Sequence, residues 1–243
     1  MLHRDYTPYA LARDNALRRI ADEAGVSIHS FDEQSLVDLE ELQRRSGRQG
    51  PYKVYTPFYR RWREYLLERF SPASSFGIAD LNTAELITAG GGPALAEAFV
   101  MPDELAAAYA QAEEASDPAE ALAQFLDERL QEYAEQRDRY SRDETSGISR
   151  HLNVGALSIR LVYERLSAAP YAVEPWLRQL AWRDFYLYQS RLDPDFFHYE
   201  KRFDFSELGT DYLEAWMEAR TGIPLIDAAM TQLNETGRLP NRL

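Results

Sequence analysis

The segment WLRQLAWRDFY, residues 176–186, decides how the rest of the chain is read. At about 100° per residue, a helix here gathers Trp176, Gln179, Trp182, Arg183 and Tyr186 within about a third of its circumference. A solvated face would be rich in Lys and Glu; this one carries two indoles, an amide, a guanidinium and a phenol. The opposite face holds Leu177, Leu180, Ala181, Phe185 and Leu187, which supply a normal core stripe. The aromatic and polar groups are therefore turned toward something other than core or bulk water, and the face reads as the wall of a binding site.

The surrounding chain has the composition of an ordinary soluble protein. Its 243 residues, 45% hydrophobic and 12% aromatic, suffice for one large domain or two small ones. No apolar run approaches the ~18 residues of a membrane span, and no charged-then-apolar leader follows Met1, so the expected compartment is the cytosol. The absence of cysteine excludes disulfides, thiolate metal sites and a Cys nucleophile. His3, His29, His151 and His198 lack ligand spacing and read as packing or surface residues, so no metal is expected.

The net charge of −13 argues against a nucleic-acid partner until its distribution is considered. Asp103 to Glu135 holds ten acidic residues against the single base Arg129, and so carries nine of the thirteen net negative charges. Elsewhere the balance is close to even. Lys53 and Lys201 are the only lysines, and arginine is the better residue for bidentate recognition of phosphate or carboxylate. The same bias also fits a GC-rich coding sequence, and the acidity fits salt adaptation.

Periodicity gives a helix from Tyr9 to Ala24 with Gly25 past its end, then a short β-like run from Val26 to Phe31. No convincing strand partner for that run is visible, so the region reads as the end of an α/β layer whose earlier strands are missing from the chain. Ser46 to Pro51 is a loop, and Ser71 to Pro93, rich in Ser, Gly, Pro and Ala, reads as a connecting segment that marks a domain boundary. From Pro102 onward the pattern is helical, with breaks at Asp117-Pro118, Thr145–Gly147, Gly155, Ala169-Pro170, Asp193-Pro194 and Gly237–Pro240.

Thr145, Ser146, Gly147 and Ser149 stand at the expected mouth of a helix, where N–H groups and the dipole favour an anion such as a diphosphate; Ser and Thr are equally the ordinary caps of helices that bind nothing. Tyr133 and Arg137 lie one turn apart and read, as an isolated pair, as surface residues. A last helix begins at Pro224 and stops at Gly237 and Pro240, presenting Asn241 and Arg242 directly after the turn. Neither the dinucleotide-fold glycine pattern nor a P-loop occurs.

Taken in order, several segments resemble the DNA photolyase/cryptochrome family: Tyr133 with Arg137-Asp138, Thr145-Ser146 with Ile148-Ser149, Gly155–Arg160, Trp176–Tyr186, Ala215–Asp227 and Thr236–Arg242. Upstream, Asp5–Tyr9, Ala12–Asp14, Ser30–Asp32 and Tyr52–Phe58 look like the end of that family's antenna domain, so the resemblance covers almost the whole chain. It implies a mainly α fold: residues 1–70 as the remnant of an α/β antenna domain, 71–101 as a linker, and 102–243 as the first part of an all-helical FAD-binding domain.

The family's activity, carried over as an expectation, is light-driven DNA repair: a photo-lyase that splits cyclobutane pyrimidine dimers by electron transfer from reduced FAD, in a monomer acting on damaged DNA with the dimer flipped out. By resemblance, Tyr133, Thr145, Ser146, Gly147, Ile148, Ser149, Trp176, Arg183 and Tyr186 hold the cofactor, with Arg183 pairing the diphosphate. Gln179, Trp182 and Asn241 are the catalytic candidates, Trp182 stacking on the dimer and Asn241 facing both flavin and lesion. The implied DNA contacts are Arg137, Gln179, Trp182, Arg183, Asn241 and Arg242. A second antenna chromophore belongs to the same expectation.

Three positions depart from the family pattern. Gln179 stands where a Glu is usual, an amide that pairs with a pyrimidine edge without charge or a proton to lend. Phe205 aligns with the outermost tryptophan of the family's flavin-reducing relay, and Pro240 replaces the more usual His. Gln179 and Phe205 lean toward the alternative of a cryptochrome-type photoreceptor without repair activity; the chain also stops before the family's segment around the flavin ring, so it reads as the middle of a longer protein, with a remnant without function as the other alternative.

Overall fold

The computed structural model describes residues 2–31, 33–70, 117–142, 144–170, 172–193, 196–197, 204, 207 and 209–240. Strand β1 (Leu2–His3) is followed by α1 (Pro8–Glu23) and β2 (Ser30–Phe31). The two strands pair in parallel, Leu2 opposite Ser30 and His3 opposite Phe31, which makes a βαβ crossover. The β-like run expected over Val26–Phe31 is thus shortened to its last two residues, and it does have a partner, which at two residues is too short to be seen as a pattern. Thr7 caps α1 by accepting from the Ala10 N–H, and Pro8 sits in its first turn, where a missing N–H costs nothing.

Two further helices, α2 (Leu39–Arg45) and α3 (Tyr55–Arg69), complete the first part of the chain. The buried residues of α3 are Tyr55, Phe58, Tyr59, Trp62, Tyr65 and Leu66, the three-and-four spacing of one helical face. That face lies against α8 (Glu174–Leu192), the long helix containing the opening segment. Phe58 meets Phe185 and Tyr188 with ring centroids 5.1 Å apart, and Tyr55 meets Phe185 edge-on at 5.8 Å.

Between them in sequence come α4 (Pro118–Glu128), α5 (Tyr133–Gln136), α6 (Ser149–Asn153) and α7 (Ile159–Ser167). Asp117 caps α4 through the Ala119 N–H, as the Asp-Pro break predicts. Ser158 stands at the cap position of α7, but its side chain makes no capping bond. The chain continues with α9 (Thr210–Met217) and α10 (Pro224–Thr236), the latter bounded by Pro224 and left-handed Gly237 as the sequence predicts.

One hydrophobic core joins residues 36–66 to residues 122–188, so the segments on either side of the expected boundary near residue 70 share a single interior. The structure is mainly helical, in agreement with the expected class. Among the described residues no helix is long and apolar enough to cross a membrane, and no cluster of His, Asp or Glu could hold a metal.

Candidate functional site

A cavity of about 690 Å³ opens against the aromatic edge of α8. Trp176, Gln179, Trp182, Arg183 and Tyr186 all line it, so the face gathered by periodicity is one wall. A second wall is the loop Thr145–Ser149, and Tyr133 from α5 closes the space between them. The cofactor residues named by resemblance therefore converge on one cavity, whose volume falls within the roughly 300–1,000 Å³ of ordinary ligand pockets. The third wall comes from α10 and the turn after it: Gln232, Thr236, Arg238, Leu239 and Pro240. Arg238 was not singled out by the sequence, because a lone arginine after a helix stop carries no local signal.

Trp176 is 4% exposed and packs on Phe125 with centroids 5.6 Å apart; Phe125 also meets Tyr133 edge-on at 5.9 Å. Trp176 and Tyr133 give the cavity apolar lining, with Phe125 buried behind them. Trp182 lies flat on Tyr55, 3.7 Å between centroids and 4° between planes, while Tyr186 stands 5.8 Å from its ring and is 55% exposed. Gln179 donates its amide N–H to the Pro175 carbonyl at 3.3 Å. Arg137 is not part of the lining: it sits over the Tyr133 ring at 5.9 Å and within 3.8 Å of Asp138. Asn241, Arg242, Phe205 and the linker around residues 71–101 lie outside the described residues.

The expected anion-binding helix mouth is differently built. α6 has only five residues and is capped by Ile148 without a side-chain bond, so its dipole is small. What the loop offers instead is local: the Thr145, Ser146 and Ser149 side chains line the cavity, and the backbone N–H groups of Ser146 and Gly147 have no backbone partner among the described residues. Arg129 donates to the Thr145 carbonyl at 3.1 Å, bracing the loop.

Arg183 faces the cavity yet donates from Nη1 to the Gln34 carbonyl and from Nη2 to the Leu152 carbonyl. Burial lowers its proton affinity, opposed by the charge of Asp184. A smaller cavity of about 240 Å³ lies on its other side, between Gln34 and the turn after α6.

The residue that periodicity overlooked is Asp184, which falls among the apolar positions of α8. It is 0% exposed and accepts from the Leu36 N–H (3.0 Å), the Val37 N–H (3.3 Å) and Trp62 Nε1–H (2.8 Å). Burial pushes its pKa up to about 6, against the lowering effect of these donors and of Arg183. Further along the same edge Tyr188 accepts from the Tyr52 N–H at 3.0 Å and donates to Gln43, and Gln189 donates to the Tyr52 carbonyl. The signal was present in the sequence as a carboxylate within a core stripe, but its partners lie more than 120 residues away.

A mainly helical body with a βαβ end and a cavity walled by one aromatic-polar helix defines a class, and comparison with known proteins places the chain in it. A family model for the FAD binding domain of DNA photolyase matches residues 176–243, and one for DNA photolyase matches residues 1–75. The deoxyribodipyrimidine photo-lyase of Vibrio cholerae is 30% identical over the whole of this chain and 53% of its own length. Among solved structures, a class III photolyase from Agrobacterium tumefaciens superposes with a TM-score of 0.69 at 24% identity, covering 99% of this chain and 52% of that one. A Synechocystis cryptochrome gives 0.66 at 21%, with 99% and 52% covered. The chain belongs to the DNA photolyase/cryptochrome family. It spans about half the length of the curated relatives it matches.

Proposed function

We propose that the cavity holds FAD and that the protein is a light-driven lyase that opens cyclobutane pyrimidine dimers in DNA. The observation that carries this reading is the convergence of Tyr133, the Thr145–Ser149 loop and the aromatic edge of α8 on one cavity, in a chain whose residues 176–243 match a FAD-binding family model. The residues fit the group: the hydroxyls and N–H groups of the loop suit phosphates, and the Trp176 and Tyr133 rings, backed by Phe125, suit an apolar ring system. Bound reduced flavin supplies the electron that light promotes and the dimer returns.

The chain's own residues bind and orient. Tyr55 holds Trp182 in a fixed plane, so a flipped pyrimidine stacks on a ring that has already lost its rotamer freedom. Gln179 meets a pyrimidine edge with neutral donors and acceptors only. The buried indole of Trp176 keeps water from the apolar lining. Arg137, Arg242 and Asn241 complete the DNA-facing side of this proposal, as does the division into residues 1–70, 71–101 and 102–243.

The test is a titration of the protein with FAD, followed by binding of ultraviolet-irradiated and unirradiated DNA and by dimer opening under light. Saturable flavin binding, preference for irradiated DNA and light-dependent opening support the reading; no flavin binding overturns it. Gln179 favours a second reading, a cryptochrome-type flavin photoreceptor, and flavin binding without lesion preference selects that one.

A further inference from the structure

The last turn of α10 places a guanidinium on the cavity rim. Gly237, at φ +66°, ends the helix with its N–H on the Leu233 carbonyl, and the Arg238 N–H then bonds Thr236 Oγ1 at 3.1 Å. The turn carries the Arg238 side chain over the 145–149 loop. A Cβ built on Gly147 would lie 2.8 Å from Arg238 Nη2. Gly147 is favoured by its left-handed backbone at φ +65°, and the lack of a Cβ lets the guanidinium tip come close to the loop.

The electrostatics around this contact are one-sided. The chain has 40 acidic residues, yet none of the described ones lines the cavity. Arg238 forms no ion pair among the described residues. Burial, Arg150 and Arg238 together lower the pKa of nearby His151, which disfavours a positive charge on that ring. The other arginine of the wall, Arg183, already spends two donors on the Gln34 and Leu152 carbonyls.

We propose that Arg238, facing the N–H groups and hydroxyls of Ser146 and Gly147's loop, is the cation that receives the phosphates of the cavity's ligand and selects a diphosphate-bearing flavin over the uncharged flavin nucleoside. The inference rests on the flavin reading for the ring system, while the anion site stands on Arg238 and the loop. Arg183 then serves as a brace between the N-terminal segment and α6, and Arg238 as the counter-charge.

The test measures the affinity of the full chain for FAD, riboflavin and ADP, with Arg238→Ala and Arg238→Lys beside the wild type and thermal midpoints as the control for folding. Arg238→Ala lowers the affinity for FAD and ADP by about tenfold, the size of a charge-assisted hydrogen bond, and leaves riboflavin within about twofold. Arg238→Lys recovers part of the loss as a point charge. Added salt weakens FAD binding less in Arg238→Ala than in the wild type.

Unchanged FAD affinity in Arg238→Ala, or an equal loss for riboflavin, overturns the proposal and leaves the flavin reading standing. Binding of ADP that depends on Arg238, without any flavin binding, keeps the anion site and removes the flavin reading. No binding of any of the three overturns both.

Discussion

The two edges of α8 differ in where their polar atoms find partners. Along one, Asp184, Tyr188 and Gln189 are buried and bonded to Leu36, Val37, Trp62, Tyr52 and Gln43, all in the first part of the chain. Along the other, Trp176, Gln179, Trp182 and Tyr186 border an open cavity. Arg183, next to Asp184, takes part in both by lining the cavity and holding Gln34. The contrast separates an anchored edge from a cavity-lining edge on a single helix: satisfied buried polar groups on one side fix the position from which the other side lines the cavity.

The sharpest way to break the comparison is Asp184→Ala, which leaves three buried N–H donors without an acceptor. About 3–5 kcal/mol of stability is lost, seen as a lower denaturant midpoint, and a loss under 1 kcal/mol would show that the anchor carries no weight. Next in size is the pH response of the same group. With a folded pKa of about 6 against an ordinary 3.8, the native state holds a proton that the unfolded state has released between those values. Stability therefore falls as pH rises through this window, by up to about 3 kcal/mol, when measured as the difference between wild type and Asp184→Asn.

Trp182→Ala tests the other edge. It removes the stack on Tyr55, for about 2 kcal/mol of stability, and abolishes any preference for irradiated DNA; a retained preference would remove the indole from lesion recognition. The smallest structural effect is expected from Gln179→Glu, within about 0.5 kcal/mol in denaturation, since the side chain is half-buried and bonds only the Pro175 carbonyl among the described residues. Its informative readout is light-driven dimer opening, which rises if an ionisable group at this position promotes repair. Equal activity in the two forms would show that the amide is no handicap.

Much of the cavity was legible because its walls are local in sequence. The α8 face follows from a period of 3.6, the Thr145–Ser149 loop from composition, and the ends of α10 from Pro224 and Gly237. β1 escaped notice because two residues have no period, and its existence depends wholly on pairing with Ser30 and Phe31. The short α6 replaced an expected helix mouth with a loop of hydroxyls, since helix length depends on what stops the chain as well as on its cap. Tyr55 was quoted only as part of a motif, and its stack on Trp182 joins residues 127 positions apart.

By itself the sequence determined the helical class, the cavity-lining face of α8 and the residue types that line it, because amphipathic period, caps and turn residues act within a few positions of one another. Only the tertiary structure decided that Asp184 is an anchor, that Arg183 braces Gln34 while Arg238 reaches Gly147, and that Tyr55 fixes Trp182. Those pairings depend on burial and on chain segments meeting across long separations, and no local pattern encodes which distant partner a polar or aromatic group will meet.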